Sequence, residues 1–126
     1  MTAELDAIVD AWASDDPGRG SELFDVALAQ SGSAFADLLN PVAMRIAERF
    51  LDGALTYDEA DGAANEVWGR IQTEWDSVPA MEVPQAAFAI YEAFDAGEFD
   101  HRGDPDGSDP VQLYTIRHLR ALELFD

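Results

Sequence analysis

Apolar residues in this chain return every three or four positions, and nowhere do they alternate strictly over four or more. That spacing puts them on one side of an α-helix and leaves a half-buried strand no pattern to follow. Leu5, Ile8, Val9 and Trp12 mark a first helix ending near Ser14. Asp15-Asp16-Pro17-Gly18-Arg19-Gly20 reads as a breaker, after which Ser21 is placed to cap a second helix closing around Gly32. A short turn through Phe35, Leu38 and Leu39 leads to Asn40-Pro41, a strong start signal. Asn caps, and proline at the first helical position gives up no hydrogen bond, because that N–H has no partner inside a helix. Val42, Ala43, Ile46, Ala47 and Phe50 form the buried side, and Gly53 supplies the left-handed residue past the end.

Thr56-Tyr57-Asp58-Glu59 is a capping box, with Leu55 and Ala60 at the two staple positions. The helix it opens shows Ala60, Ala64, Val67, Trp68, Ile71 and Trp75 on one inward stripe and runs to about Asp76. Val78-Pro79 through Val83-Pro84 is a connection. Pro84 then opens a helix with Ala87, Ile90, Tyr91 and Phe94 inward, stopping at Gly97. Asp109-Pro110 repeats the cap-plus-proline start of a last helix reaching about Leu124. Because Val111, Leu113, Tyr114, Ile116, Leu119, Leu122 and Leu124 surround it, that helix is expected to be central or contacted on two sides. The expectation is a single all-α domain: an antiparallel four-helix bundle over 40–126, with 1–39 adding one or two N-terminal helices.

Charge narrows the function. The chain has 126 residues, 26 of them Asp or Glu against 7 bases, for a net charge of −19; every base is arginine. With 48% hydrophobic residues this is a folded domain rather than a disordered acidic tail. Such a charge repels phosphate, so nucleic acid is not an expected partner, and cationic molecules are. Acids split evenly, thirteen in each half. A uniformly acidic, lysine-free surface is also what salt adaptation or a GC-rich genome produces. Without cysteine there is no disulfide, zinc-thiolate site or cysteine nucleophile. The start Met1-Thr2-Ala3-Glu4 does not read as a signal peptide, and no stretch approaches the roughly 20 apolar residues of a bilayer span, so the cytoplasm is the expected location and no membrane partner is expected.

Catalytic and cofactor patterns are thin. His101 sits in Glu98-Phe99-Asp100-His101-Arg102, where an acid, an imidazole and a guanidinium meet; His118, beside Arg117, reads as a half-buried helix residue. No Gly-x-Ser-x-Gly elbow or glycine-rich phosphate loop is present. Asp104-Pro105-Asp106-Gly107-Ser108-Asp109 echoes part of a calcium loop, but the closing Glu is missing and proline interrupts the alternation. The expectation is a protein that is not an enzyme and needs neither cofactor nor metal. An ion sensor or enzyme using the 100–109 loop stands as a rival.

What the sequence does concentrate is carboxylate. Glu92, Asp95, Glu98, Asp100, Asp104, Asp106 and Asp109 face Arg102 alone, across a helix end and its loop. A second acid-only stretch holds Asp52, Asp58, Glu59 and Asp61, where Asp58, Asp61 and Asn65 lie opposite the apolar stripe. Solvated caps explain each acid singly, Asp58 and Glu59 also gaining from the helix dipole. Two clusters meeting in the fold would focus a negative field that captures a basic partner quickly. Phe99, between Gly97 and Gly103, is a candidate apolar anchor or, equally, a loop aromatic tucked under the helices.

From Ile46 onward the order resembles the colicin D immunity family, small acidic four-helix bundles that bind and silence a tRNA-cleaving toxin domain. The pieces are Ile46-Ala47-Glu48-Arg49-Phe50-Leu51, then Leu55-Thr56-Tyr57-Asp58-Glu59, then Phe88-Ala89-Ile90-Tyr91-Glu92-Ala93-Phe94 running into Asp95-Ala96-Gly97-Glu98-Phe99-Asp100, and an Asp-rich loop before a last helix. Residues 1–39 have no counterpart. The resemblance implies a cytoplasmic immunity protein whose partner is a basic toxin domain, a nuclease, blocked through Asp95, Glu98 and Asp100. With Phe99, Asp104, Asp106, Asp58 and Asp61 these form the expected partner-binding set. The alternative is a small acidic structural or regulatory interaction module with no toxin partner.

Overall fold

Caps and close contacts fix the helix ends, and not always the ones the sequence suggests. The structure, a computed structural model, describes residues 2–78, 83–99, 103–105 and 107–122. It is all-helical: α1 (Thr2–Trp12), α2 (Pro17–Ser31), α3 (Phe35–Leu51), α4 (Tyr57–Ser77), α5 (Gln85–Ala96), a π-helical turn Val111–Ile116 and α6 (Arg117–Ala121). No strand occurs among the described residues.

The start of α4 is as expected. Thr56 Oγ1 accepts from the Glu59 amide at 3.2 Å while the Glu59 carboxylate accepts from the Thr56 amide at 2.9 Å, and both staple residues, Leu55 and Ala60, are buried. Those donors hold the Glu59 carboxyl below its usual range. The start at Asn40-Pro41 is not as expected. α3 begins at Phe35 and carries Pro41 inside it. Leu38 and Leu39 are fully buried on the stripe of Val42, Ala43 and Ile46, and covering them offsets the one helical hydrogen bond that proline forgoes. Asn40 does cap a helix, but a different one: its Oδ1 accepts from the Ala87 amide in the first turn of α5 at 2.9 Å.

The N-terminal segment is corrected in the same way. Pro17–Gly20 is the first turn of α2 rather than a breaker, and Ser21 lies inside the helix, where its Oγ accepts from Trp12 Nε1 at 3.4 Å. Gly20 is needed for space, since a Cβ there would overlap the Trp12 indole. Trp12 stacks on Phe24 at 5.7 Å between ring centres. Ile8, Val9, Trp12 and Phe24 join Leu39, Ile46, Ile71, Ile90 and Phe94 in one continuous core, and the division expected at 39/40 falls inside α3.

Asn40 meets the start of α5, and Phe50 meets Phe94 near the ends of α3 and α5, so these two helices run the same way. α4 runs against both, its start at the end of α5. α5 touches α3, α4, the π-helical turn and α6, while α1 touches α2, α3 and α4. The last segment is not the central helix its composition suggests. Of it only Thr115 and Leu119 are buried among the described residues, and His118 is exposed rather than half-buried. Leu124 lies outside the described residues.

Candidate functional site

The capping box holds the first turns of α4 in place, and with them Tyr57, Asp58 and Asp61. A helix leaves its last four carbonyls without intrahelical partners, and the end of α5 recruits two hydroxyls to meet them. Tyr57 Oη donates to the Phe94 carbonyl at 2.5 Å, and Thr115 Oγ1 donates to the Ala93 carbonyl at 2.7 Å. Gly97 follows because both hydroxyls occupy the place a Cβ would take. Its φ is −82°, so the glycine answers to space, not to a left-handed turn as at Gly53 (φ 84°). The Tyr57 ring completes the joint against Phe50 and Phe94.

This joint brings the two acidic stretches together. Asp58 of α4, Asp95 of α5 and Glu98 just past its end are all near enough to act on Asp61 of α4, and the four form one carboxylate crown. Asp61, expected to face water, is instead half-buried, and its Oδ1 is shut off from solvent with no hydrogen-bond partner. Its carboxyl is pushed up to about 7, first by burial, then by the charge of Glu98 and a hydrogen bond with it, then by Asp95 and Asp58. Tyr57 and Tyr91 feel the same field: burial raises both hydroxyls, and Asp61, Asp95 and Glu98 raise them further.

The ion-paired arginines among the described residues are directed elsewhere. Arg45 pairs with Asp6 at 2.6 Å and with Glu48 at 3.1 Å. Arg49 pairs with Asp10 at 2.6 Å, and Arg70 with Asp25 at 2.6 Å. Arg70 also lies over the Phe24 ring, 5.0 Å from its centre. Each guanidinium ties an acid of α1 or α2 to α3 or α4. Among the described residues no ion pair reaches Asp58, Asp61, Asp95 or Glu98.

Asp104 accepts from Tyr114 Oη at 2.7 Å, a bond that also raises the Tyr114 hydroxyl. Phe99 is 54% exposed, not tucked beneath the helices. Asp100 and Asp106, with His101 and Arg102, lie outside the described residues. Among the described residues no three His, Asp or Glu side chains are placed to hold a metal ion, and no helix is long and apolar enough to cross a membrane.

Beside the crown runs a strip of aromatic rings, of which Trp68 and Phe88 pack partly buried against the core. Trp68 stacks on Tyr91 at 5.0 Å and meets Phe88 at 5.6 Å. Trp75, expected inward, is 57% exposed. A signal was present in the spacing Asp61, Asn65, Gln72, Trp75, which places Trp75 on the stripe that carries the polar residues rather than with Val67 and Ile71, whereas Trp68 packs against the core as expected. No protein-family model, curated protein or solved structure matches the chain.

Proposed function

We propose that this chain is an immunity-type inhibitor acting in the cytoplasm, which binds the basic active site of a bacterial toxin domain, a nuclease, and silences it by occlusion rather than catalysis. The observation that carries the reading is the crown of Asp58, Asp61, Asp95 and Glu98, with every ion-paired arginine among the described residues turned toward α1, α2 or its own helix. Nuclease sites hold phosphates with Lys and Arg, and carboxylates on two braced helix ends can occupy the same positions. Their field speeds encounter, and desolvated contacts slow release. Burial, and after it the neighbouring carboxylates, already raise Asp61; a guanidinium arriving at the crown offsets the repulsive part. Phe99, exposed next to Glu98, is the apolar anchor of the reading. The resemblance of residues 46 onward to the colicin D immunity family agrees with it, and on this reading the helices from α3 onward form that family's four-helix bundle.

The test is co-expression with whatever basic C-terminal domain the gene immediately upstream encodes. Rescue of growth is the expected result, lost when Asp61, Asp95 and Glu98 are neutralised together. Failure of the unaltered chain to rescue cells, or rescue that survives the triple substitution, would sink the reading.

A further inference from the structure

α4 and α5 run antiparallel, so the crown is one end of a longer surface. Beyond Asp61 and Asp95 come Trp68, Tyr91 and Phe88, in ring-to-ring contact. Beyond those stands Trp75, 57% exposed, with Val78 at 43%. Trp68, Ile71, Gln72, Trp75 and Asp76 line a groove of about 240 Å³. That is below the roughly 300–1,000 Å³ of a small-molecule site and of the size that receives a side chain.

We infer that this aromatic strip is the second half of a protein-binding surface, whose occupant is a basic protein that seats an arginine in the Trp68–Trp75 groove while its other cations meet the crown. The inference rests on the inhibitor reading and adds to it the chemistry of the partner at a point far from the carboxylates. The charges at this surface select the occupant. Asp76 stands at the groove, Glu92 and Asp95 act on Tyr91, and the nearest arginine of α4, Arg70, is turned away to Asp25 and Phe24. A guanidinium stacks on indole and pairs with a carboxylate in one pose, which suits this lining. Single-stranded nucleic acid also stacks on aromatic rings but needs a basic groove. A second copy of this chain would bring acid against acid at a net charge of −19 on each side. From Asp61 to Trp75 the helix rises about 21 Å, at 1.5 Å per residue. The partner therefore presents cations at two places about that far apart, and tryptophan and tyrosine between them are the residues that dominate protein interfaces.

Two synthetic 16-residue helical peptides of equal charge test this, one with an arginine pair at each end and one with four arginines at one end. Titrated into the full chain, the two-ended peptide should shift the indole N–H resonances of Trp75 and Trp68 and leave that of buried Trp12 in place. Trp75→Ala should weaken it about tenfold and leave the one-ended peptide unchanged, with thermal unfolding of the variant unaltered. If both peptides depend on Asp95 and Glu98 while Trp75→Ala changes neither, the strip takes no part and the crown reading stands. If neither peptide binds the chain, the crown reading falls and this inference with it. A concentration-dependent dimer abolished by Trp75→Ala would assign the strip to a second copy and overturn the proposal.

Discussion

Asp6, Asp10 and Asp25 are the same kind of residue as Asp58, Asp61 and Asp95, and the fold puts them to opposite uses. The first three each receive an arginine at 2.6 Å and fasten α1 and α2 to the rest of the chain. Arg45 holds the Asp6 carboxyl below its usual range. In the second set Asp58 and Asp95, with Glu98, act on Asp61, and its carboxyl is forced upward instead, first by burial and then by their charge. One region is held by ion pairs between helices, the other by hydroxyls donating to the carbonyls of a helix end. The contrast teaches that the placement of the few bases, more than the number of acids, decides where a strongly acidic protein projects its field.

The sharpest way to break the contrast is to disturb the hydroxyl joint alone. Gly97→Ala keeps a permitted backbone but drives a methyl into Thr115 and Tyr57. It should cost about 2–3 kcal/mol in chemical denaturation, and an unchanged midpoint would show that the joint does not hold the crown. Next in size is the other region. Arg70→Ala removes the pair with Asp25 and the contact over Phe24, and should cost about 1–2 kcal/mol, an amount that shrinks in high salt. Gly97→Ala should be insensitive to salt, because no charge is involved.

Asp61→Asn should act in the reverse direction and stabilise the free chain. With the folded value near 7 against an ordinary 3.8, the folded state holds the extra proton, so the wild-type chain is favoured at low pH and loses that contribution as pH rises from about 4 to about 7. The gain from Asn therefore grows across that window and levels off above it. Solvent screening at this half-exposed site reduces it to roughly 1 kcal/mol. Equal stability of the two chains at pH 5 and pH 8 would contradict the crowding of the crown. A stabilising substitution that weakens partner binding is the usual signature of a strained binding site. Smallest of all, Trp75→Ala should leave stability within about 0.5 kcal/mol, since the ring is largely in water; a larger loss in thermal unfolding would return Trp75 to the core.

The sequence carried the helical class, the capping box at Thr56 and Glu59, and most of the inward stripe of α4, because these depend on residues within one or two turns of each other. It misled where a local signal serves a distant element. Asn40 looks like the cap of its own helix and caps α5 instead. Gly97 does end its helix as expected, but the reason a glycine is needed there, space for the hydroxyls of Thr115 and Tyr57, lies in distant elements. Of the expected binding residues, Asp58, Asp61, Asp95 and Glu98 converge, whereas Asp104 turns to Tyr114. That Asp61 is half-buried could not be read in advance, because the carboxylates that act on it from the end of α5, Asp95 and Glu98, are more than thirty residues away. The same holds for the arginines: the even division of charge along the chain hides that Arg45, Arg49 and Arg70 all turn toward α1 and α2.

The central claim is tested most directly by measuring the affinity of the cognate basic domain for two triple variants, each shown to be folded. Asp61→Asn, Asp95→Asn and Glu98→Gln together should weaken binding at least about a hundredfold, as expected for losing carboxylates that pair with desolvated cations. Asp6→Asn, Asp10→Asn and Asp25→Asn together should leave it within a few-fold. Equal losses from the two variants would show that only total charge matters and that the crown is no binding site.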